Sequence, residues 1–188
     1  MTNPRIISGS ARGVRLEMVP ANITRPITDR VKEALFNIIG GDIIDSTFLD
    51  LFGGTGSVGI EALSRGAKYV KFIEINPIAQ KTINKNLLKT KLSENAVVTL
   101  MDAAQYLQTT VGESFEYVFI APPQYKGIWL DILYLLDEFP YHVTNDGWII
   151  IQIDPIENTT IKMNNFNKID ERKYGSTLLI FFQKRELV

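Results

Sequence analysis

Apolar residues alternate with polar ones in two short stretches of "RIISGSARGVRLEMV" (5–19), separated by the small residues Ser8 to Gly13. The pattern predicts a β-hairpin or a pair of short extended segments. The period then changes. In "RPITDRVKEALFNII" (25–39), Val31, Leu35 and Ile38 fall on one helical face, and Thr28 or Asp29 stands where a helix cap is needed. From Thr47 onward, strand and helix alternate: "TFLDLF" is a buried strand, followed by a glycine-rich turn and a helix that Gly66 stops. "YVKFIEI" is a second strand; Asn76 caps and Pro77 starts a helix reaching about Lys91. "AVVTLM" and "FEYVFI" read as further strands around a short helix at "AAQYL". A helix within 127–139 precedes the strand "GWIIIQI", and "FNKIDERKY" with "STLLIFFQKR" forms an antiparallel pair about Gly175.

Repeated strand–helix–strand units predict an α/β fold. Its central sheet is mainly parallel with helices on both faces and an antiparallel final strand, and a hairpin-plus-helix extension precedes it. The expected division is an extension over residues 1–40 and one main domain over 41–188. Such sheets bind ligands outside the carboxyl ends of their strands, and every loop of chemical interest in this chain sits at one.

Composition removes several alternatives. With no cysteine among 188 residues, disulfides, thiolate zinc sites and cysteine nucleophiles are excluded. The single histidine, His142, lies in "FPYHV" without a ligand pattern and reads as structural, so no metal is expected. No apolar run approaches the roughly 20 residues that span a bilayer, and the N-terminus has no signal core, which points to a cytoplasmic chain with no membrane partner. A monomer is the default expectation. The net charge of −1 is unevenly spread: residues 1–35 carry six basic and three acidic side chains, an excess of +3 that leaves −4 on the remainder. Arg5, Arg12, Arg15, Arg25 and Arg30 are therefore candidate phosphate contacts. Arg30 is equally placed to pair with Asp29 or Glu33 within its helix.

The turn "DLFGGTGSVGIEA" spaces Gly54, Gly56 and Gly59 as G-x-G-x-x-G between a strand and a helix, where a ligand can approach backbone unobstructed by Cβ atoms. Glu74 ends the next strand, 20 residues after Gly54, where a carboxylate binds ribose hydroxyls. A dinucleotide would place pyrophosphate on the helix N-terminus. Asp50 instead puts negative charge just ahead of the glycines and favours S-adenosylmethionine, whose ammonium requires a carboxylate. No lysine follows the glycines, so a P-loop is excluded. Asp102 closes the third strand, placed either to accept from an adenine amino group or to cap the next helix. After the fourth strand comes "APPQY", Ala121 to Tyr125, in which two prolines can continue neither ladder nor helix and leave carbonyls free.

These features together resemble class I S-adenosylmethionine-dependent methyltransferases, and within them the bacterial enzymes that methylate a guanine exocyclic amine in 16S ribosomal RNA. The likeness rests on "RIISGSARG", "RPITDRVKEALFNII", "LDLFGGTGSVGIEALSRGA", "FIEIN" and the proline pair, and runs through nearly the whole chain. It implies that Asp50, Phe52, Gly53, Gly54, Thr55 and Gly56 hold the methionine part of the cofactor, Glu74 and Ile75 the ribose, and Asp102 and Ala103 the adenine. S-adenosylhomocysteine is the implied product, and 16S rRNA or a small-subunit assembly intermediate the implied partner. In such amine methyltransferases an Asp or Asn precedes Pro-Pro and an aromatic follows. Two acceptors hold the amine hydrogens so that the lone pair faces the methyl group, while the aromatic stacks on the base.

This chain departs from that pattern at two points, Ala121 for the acid or amide and Gln124 for the aromatic. The implied catalytic set is then the carbonyls of Ala121 and Pro122 beside Pro123, with Gln124 replacing the lost acceptor and Tyr125 stacking on the base. The rival readings are a non-catalytic module that binds cofactor and RNA, and a DNA adenine-N6 methyltransferase; a dehydrogenase is more distant.

Overall fold

The computed structural model describes residues 3–19 and 27–185. The hairpin is held by one antiparallel bridge, Arg5 to Arg15, with the Ile6 N–H donating to the Val14 carbonyl (2.9 Å). Helix α1 (Asp29–Ile39) is capped by Thr28, whose side chain accepts from the Val31 N–H. Its buried stripe is Val31, Leu35, Phe36 and Ile39 rather than the predicted Val31, Leu35 and Ile38. Ile38 is only half-buried, because the contact face is rotated toward Ser57 and Glu61 and Lys32 is drawn into it.

The alternation beyond is as the periodicity predicts, in chain order β1 (Thr47–Asp50), α2 (Ser57–Ser64), β2 (Tyr69–Glu74), α3 (Pro77–Thr90), β3 (Ala96–Leu100), α4 (Ala103–Thr109), β4 (Phe115–Ile120), α5 (Ile128–Glu138), β5 (Val143–Ile153), β6 (Phe166–Tyr174) and β7 (Thr177–Lys184). Asn76 caps α3 by accepting from the N–H groups of Ile78 and Ala79, and Pro77 occupies its first turn, where a missing N–H costs nothing.

The seven strands lie in the order β3-β2-β1-β4-β5-β7-β6. The pairs from β3 to β5 are parallel; β7 runs antiparallel to β5, and β6 antiparallel to β7. The chain leaves β1 in one direction to build β2 and β3, then returns to the other side for β4. The strand order therefore reverses between β1 and β4, the place where such sheets open a crevice.

Two apolar cores cover the two faces. One, containing Phe48, Phe72, Phe119, Ile150 and Phe181, also buries Ile6, Leu16, Val31, Leu35 and Phe36, so the hairpin and α1 share a core with the sheet. The other gathers Leu49, Ile73, Val118, Ile149 and Ile180 with α4 and α5. His142 lies in the interior, its Nε2 2.9 Å from the Leu107 carbonyl and its ring against Tyr106 and Tyr141, a packing role.

Candidate active site

A cavity of about 620 Å³ opens at the carboxyl ends of the parallel strands, at the reversal between β1 and β4; its lining includes Asp50, Glu74, Asp102, Ala121, Gln124 and Gln152. That volume lies within the range of small-molecule sites. β1, β2, β4 and β5 or the loops that follow them send residues to its rim, the loop after β3 adds Asp102, and the site follows from the topology.

The glycine turn forms one wall. Gly54 and Gly56 have φ of 55° and 78°, a region that side-chain-bearing residues rarely enter, and the turn closes with the Gly56 N–H donating to the Gly53 carbonyl (2.7 Å). The Gly54 N–H donates to Glu74 Oε2 and the Asn76 N–H to Oε1, both at 2.8 Å. These bonds fix the carboxylate between β1 and β2 and leave its remaining lone pairs for hydroxyl donors. Asp50 is almost wholly buried, with the Phe52 N–H reaching its Oδ1 at 3.4 Å. Burial pushes its carboxyl up to about 7, the charge of Glu74 adding to the effect and the N–H groups of Phe52 and Gly59 opposing it. A cation placed here would favour the ionised form and displace the proton.

Of the sequence-predicted cofactor residues, Asp50, Phe52, Gly53, Gly54, Thr55, Glu74, Ile75 and Asp102 all line the cavity, while Gly56 and Ala103 stand behind them. Asp102 also caps α4, accepting from the Gln105 N–H at 3.0 Å, the second of the two roles its local sequence allowed. Ala121, Pro122, Pro123 and Gln124 reach the cavity. Tyr125 stands outside the lining, with φ of 63°; its hydroxyl donates to Asp154 Oδ2 and its N–H to Glu157 Oε1, each at 2.9 Å.

Among the arginines, Arg12, Arg15 and Arg30 are exposed and make no ion pair among the described residues. Arg5 pairs with Asp29 (2.7 Å). Arg25 lies outside the described residues.

Several residues of the site were not legible as such in the sequence. Lys32, counted there among the basic charges of the N-terminal arm, is fully buried, because its Nζ donates to the Arg5 carbonyl (2.7 Å) and Ser57 Oγ (2.9 Å) and lies 3.3 Å from Glu61 Oε2. Desolvation holds its pKa below the usual lysine value, with Glu61 opposing. Glu61 in turn accepts from the N–H groups of Ile7 (2.8 Å) and Ser8 (3.0 Å) and from Arg65 Nε (2.8 Å). Asn86 ties the Thr55 carbonyl (2.8 Å) to the backbone of Glu17. The N-terminal segment is thus fastened at two places to the glycine turn, and Ile27 adds a wall to the cavity. Another lining residue without a predicted role is Gln152, on β5, whose carboxamide oxygen is buried with no hydrogen-bond partner among the described residues. No cluster among those residues could hold a metal ion, and no described helix is long and apolar enough to cross a membrane.

Residues 4–183 match a family described as Conserved hypothetical protein 95. The chain belongs to that family. A Bacillus subtilis protein named "Putative rRNA methyltransferase YlbH" is 34% identical over 183 residues, 96% of this chain and 99% of its own length. Ribosomal RNA small subunit methyltransferase D of Escherichia coli is 36% identical over 145 residues, 77% of this chain and 69% of that protein. A solved structure, "Putative methyltransferase yhhF from Escherichia coli", superposes with a TM-score of 0.85 at 31% identity, covering 96% of this chain and 97% of that one. The α/β architecture described above is that of Rossmann-like methyltransferases.

Proposed function

We propose that the chain is an S-adenosylmethionine-dependent rRNA methyltransferase, acting on the exocyclic N2 amine of a guanine in 16S rRNA, free or within a small-subunit assembly intermediate. The observation that carries this reading is the convergence of Asp50, Glu74 and Asp102 on one cavity that also receives the proline pair after β4. The residues present fit the cofactor. Glu74 is held with lone pairs toward ribose hydroxyls, the glycine turn leaves room for close approach, and buried Asp50 is suited to an ammonium group. When bound, the cofactor supplies an electrophilic methyl carbon: the amine nitrogen forms the new N–C bond as the C–S bond breaks, sulfur keeps that electron pair, and the surplus amine proton passes to solvent.

The chain's own contribution is positioning. The proline pair at 122 and 123 leaves a main-chain carbonyl at the cavity, where it accepts from one amine hydrogen and helps turn the nitrogen lone pair toward the donor. Gln124, on the same lining, adds a side-chain amide. The exposed Arg12, Arg15 and Arg30 belong to an N-terminal extension, residues 1–40, that holds the RNA phosphates. Its fastening to the glycine turn through Lys32, Glu61 and Asn86 keeps that surface in a fixed relation to the cofactor.

Tritiated methyl transfer into small-subunit particles from a strain lacking the gene, followed by nucleoside digestion, tests the reading. N2-methylguanosine is the expected product. Cofactor binding without any transfer would establish instead the non-catalytic module that Ala121 suggests, and label in N6-methyladenine of DNA would establish the DNA enzyme.

A further inference from the structure

We propose that Gln152, on β5, supplies the side-chain acceptor for the target amine that Ala121 lacks. The register of the parallel pair β4–β5 matches Phe119 with Ile150 and Ile120 with Ile151, so Ala121 and Gln152 come next on neighbouring strands. Side chains alternate along a strand. Phe119 and Ile150 face one core and Ile120 and Ile151 the other, so Ala121 and Gln152 return to the Phe119 face, and both line the cavity. Asp50 lies on that same face, paired with Phe119 across β1 and β4. Ala121 and Gln152 therefore stand side by side, two residues beyond the level of Asp50 on the same face, and the member on the β4 side is a bare methyl group.

Neighbouring strands lie about 4.8 Å apart, a gap that an extended glutamine side chain spans and that alanine leaves unfilled. The Gln152 oxygen is buried and makes no hydrogen bond among the described residues. Buried polar atoms are nearly always paired, so an unpaired amide oxygen beside the cavity is free to be redirected. A half turn about the last side-chain bond exchanges the amide oxygen and nitrogen with little change in shape. The oxygen gives up no hydrogen bond in turning toward the cavity. With it there, the amine hydrogens meet one main-chain carbonyl and one amide oxygen, the same pair of acceptors that an Asp or Asn at position 121 would complete.

This inference rests on the methyltransferase reading above, and the test keeps the two apart. Single-turnover methyl transfer into unmodified small-subunit particles is measured at saturating S-adenosylmethionine, beside calorimetric titration of S-adenosylhomocysteine. Gln152→Met keeps the length of the side chain and removes its oxygen. It is expected to slow transfer about 10²-fold, by analogy with loss of one catalytic hydrogen-bonding group, with the cofactor Kd within twofold of wild type. Adding Ala121→Asn to Gln152→Met is expected to recover at least tenfold of that loss. A Gln152→Met protein that transfers within threefold of wild type, that loses cofactor affinity in parallel, or that Ala121→Asn fails to rescue overturns the assignment and leaves the methyltransferase reading standing. Wild-type protein that binds cofactor and transfers no methyl group overturns both.

Discussion

Replacing Asp50 with asparagine removes a carboxyl that burial holds up at about 7, more than three pH units above its ordinary 3.8. Below about pH 4 that carboxyl is protonated in folded and unfolded chains alike and costs nothing. As the pH rises from 3.8 to about 7, the unfolded chain gives up a proton that the folded chain retains, so stability of the ligand-free protein falls. Once both states are ionised, the penalty is on the order of 4 kcal/mol at about 1.4 kcal/mol per pH unit. Ligand binding has the opposite sign. An ammonium group beside Asp50 requires the ionised carboxylate, so S-adenosylhomocysteine affinity is expected to improve about tenfold per pH unit up to pH 7. It then levels off through the rest of the range up to about pH 8, because the ligand's amino group, beside its own carboxylate, stays protonated there.

Calorimetry from pH 5.5 to 8, in two buffers of different ionisation enthalpy, reads both the affinity and the proton released on binding below pH 7. Asp50→Asn is expected to abolish the acid limb, to bind more weakly at pH 7.5 by about 1–3 kcal/mol, and to melt at a higher temperature than wild type at pH 8 without ligand. A Kd that is flat from pH 5.5 to 7.5 in the wild type, or an acid limb that persists in the variant, would refute the role given to this carboxylate.

Glu61→Ala leaves the buried Lys32 ammonium without its carboxylate and strips the acceptor of the Ile7 and Ser8 N–H groups; loss of about 3–5 kcal/mol in urea unfolding is expected, and a loss under 1 kcal/mol would show the cluster to be energetically idle. Arg12→Ala with Arg15→Ala is expected to weaken rRNA binding and lower the slope of log K against log salt by about 1 per phosphate contact removed, with S-adenosylhomocysteine affinity unchanged; an unaltered slope would remove these arginines from the RNA surface. Arg5→Ala serves as a contrast. Its pair with Asp29 is exposed, and a stability change of no more than about 1 kcal/mol is expected.

Helix and strand placement was legible in the chain because its signals are local. A period of two or 3.6, a Thr28 or Asn76 cap and a Gly66 stop act over a few residues, and the corresponding elements form where those signals lie. The glycine turn, Glu74 and Asp102 were equally legible, since a parallel sheet puts its loops at known strand ends and nucleoside chemistry demands those residue types there. Lys32 was not: a lysine in a charged stretch reads as solvated, and only the docking of α1 against α2 brings Ser57, Glu61 and the Arg5 carbonyl around it. Tyr125 satisfied the local expectation of an aromatic after the prolines, yet its partners Asp154 and Glu157 lie roughly 30 residues on and draw it to the rim.

Gln152 carries no motif at all. It stands beside Ala121 because β4 and β5 pair in one register out of many, and register is a property of two distant segments and the core between them. By itself the sequence determined the class of fold, the cofactor end of the crevice and the chemistry lacking at position 121. Which side chain stands next to that vacancy was decided only when the strands came together, because interstrand pairing is fixed by packing over the whole sheet and not by neighbours along the chain.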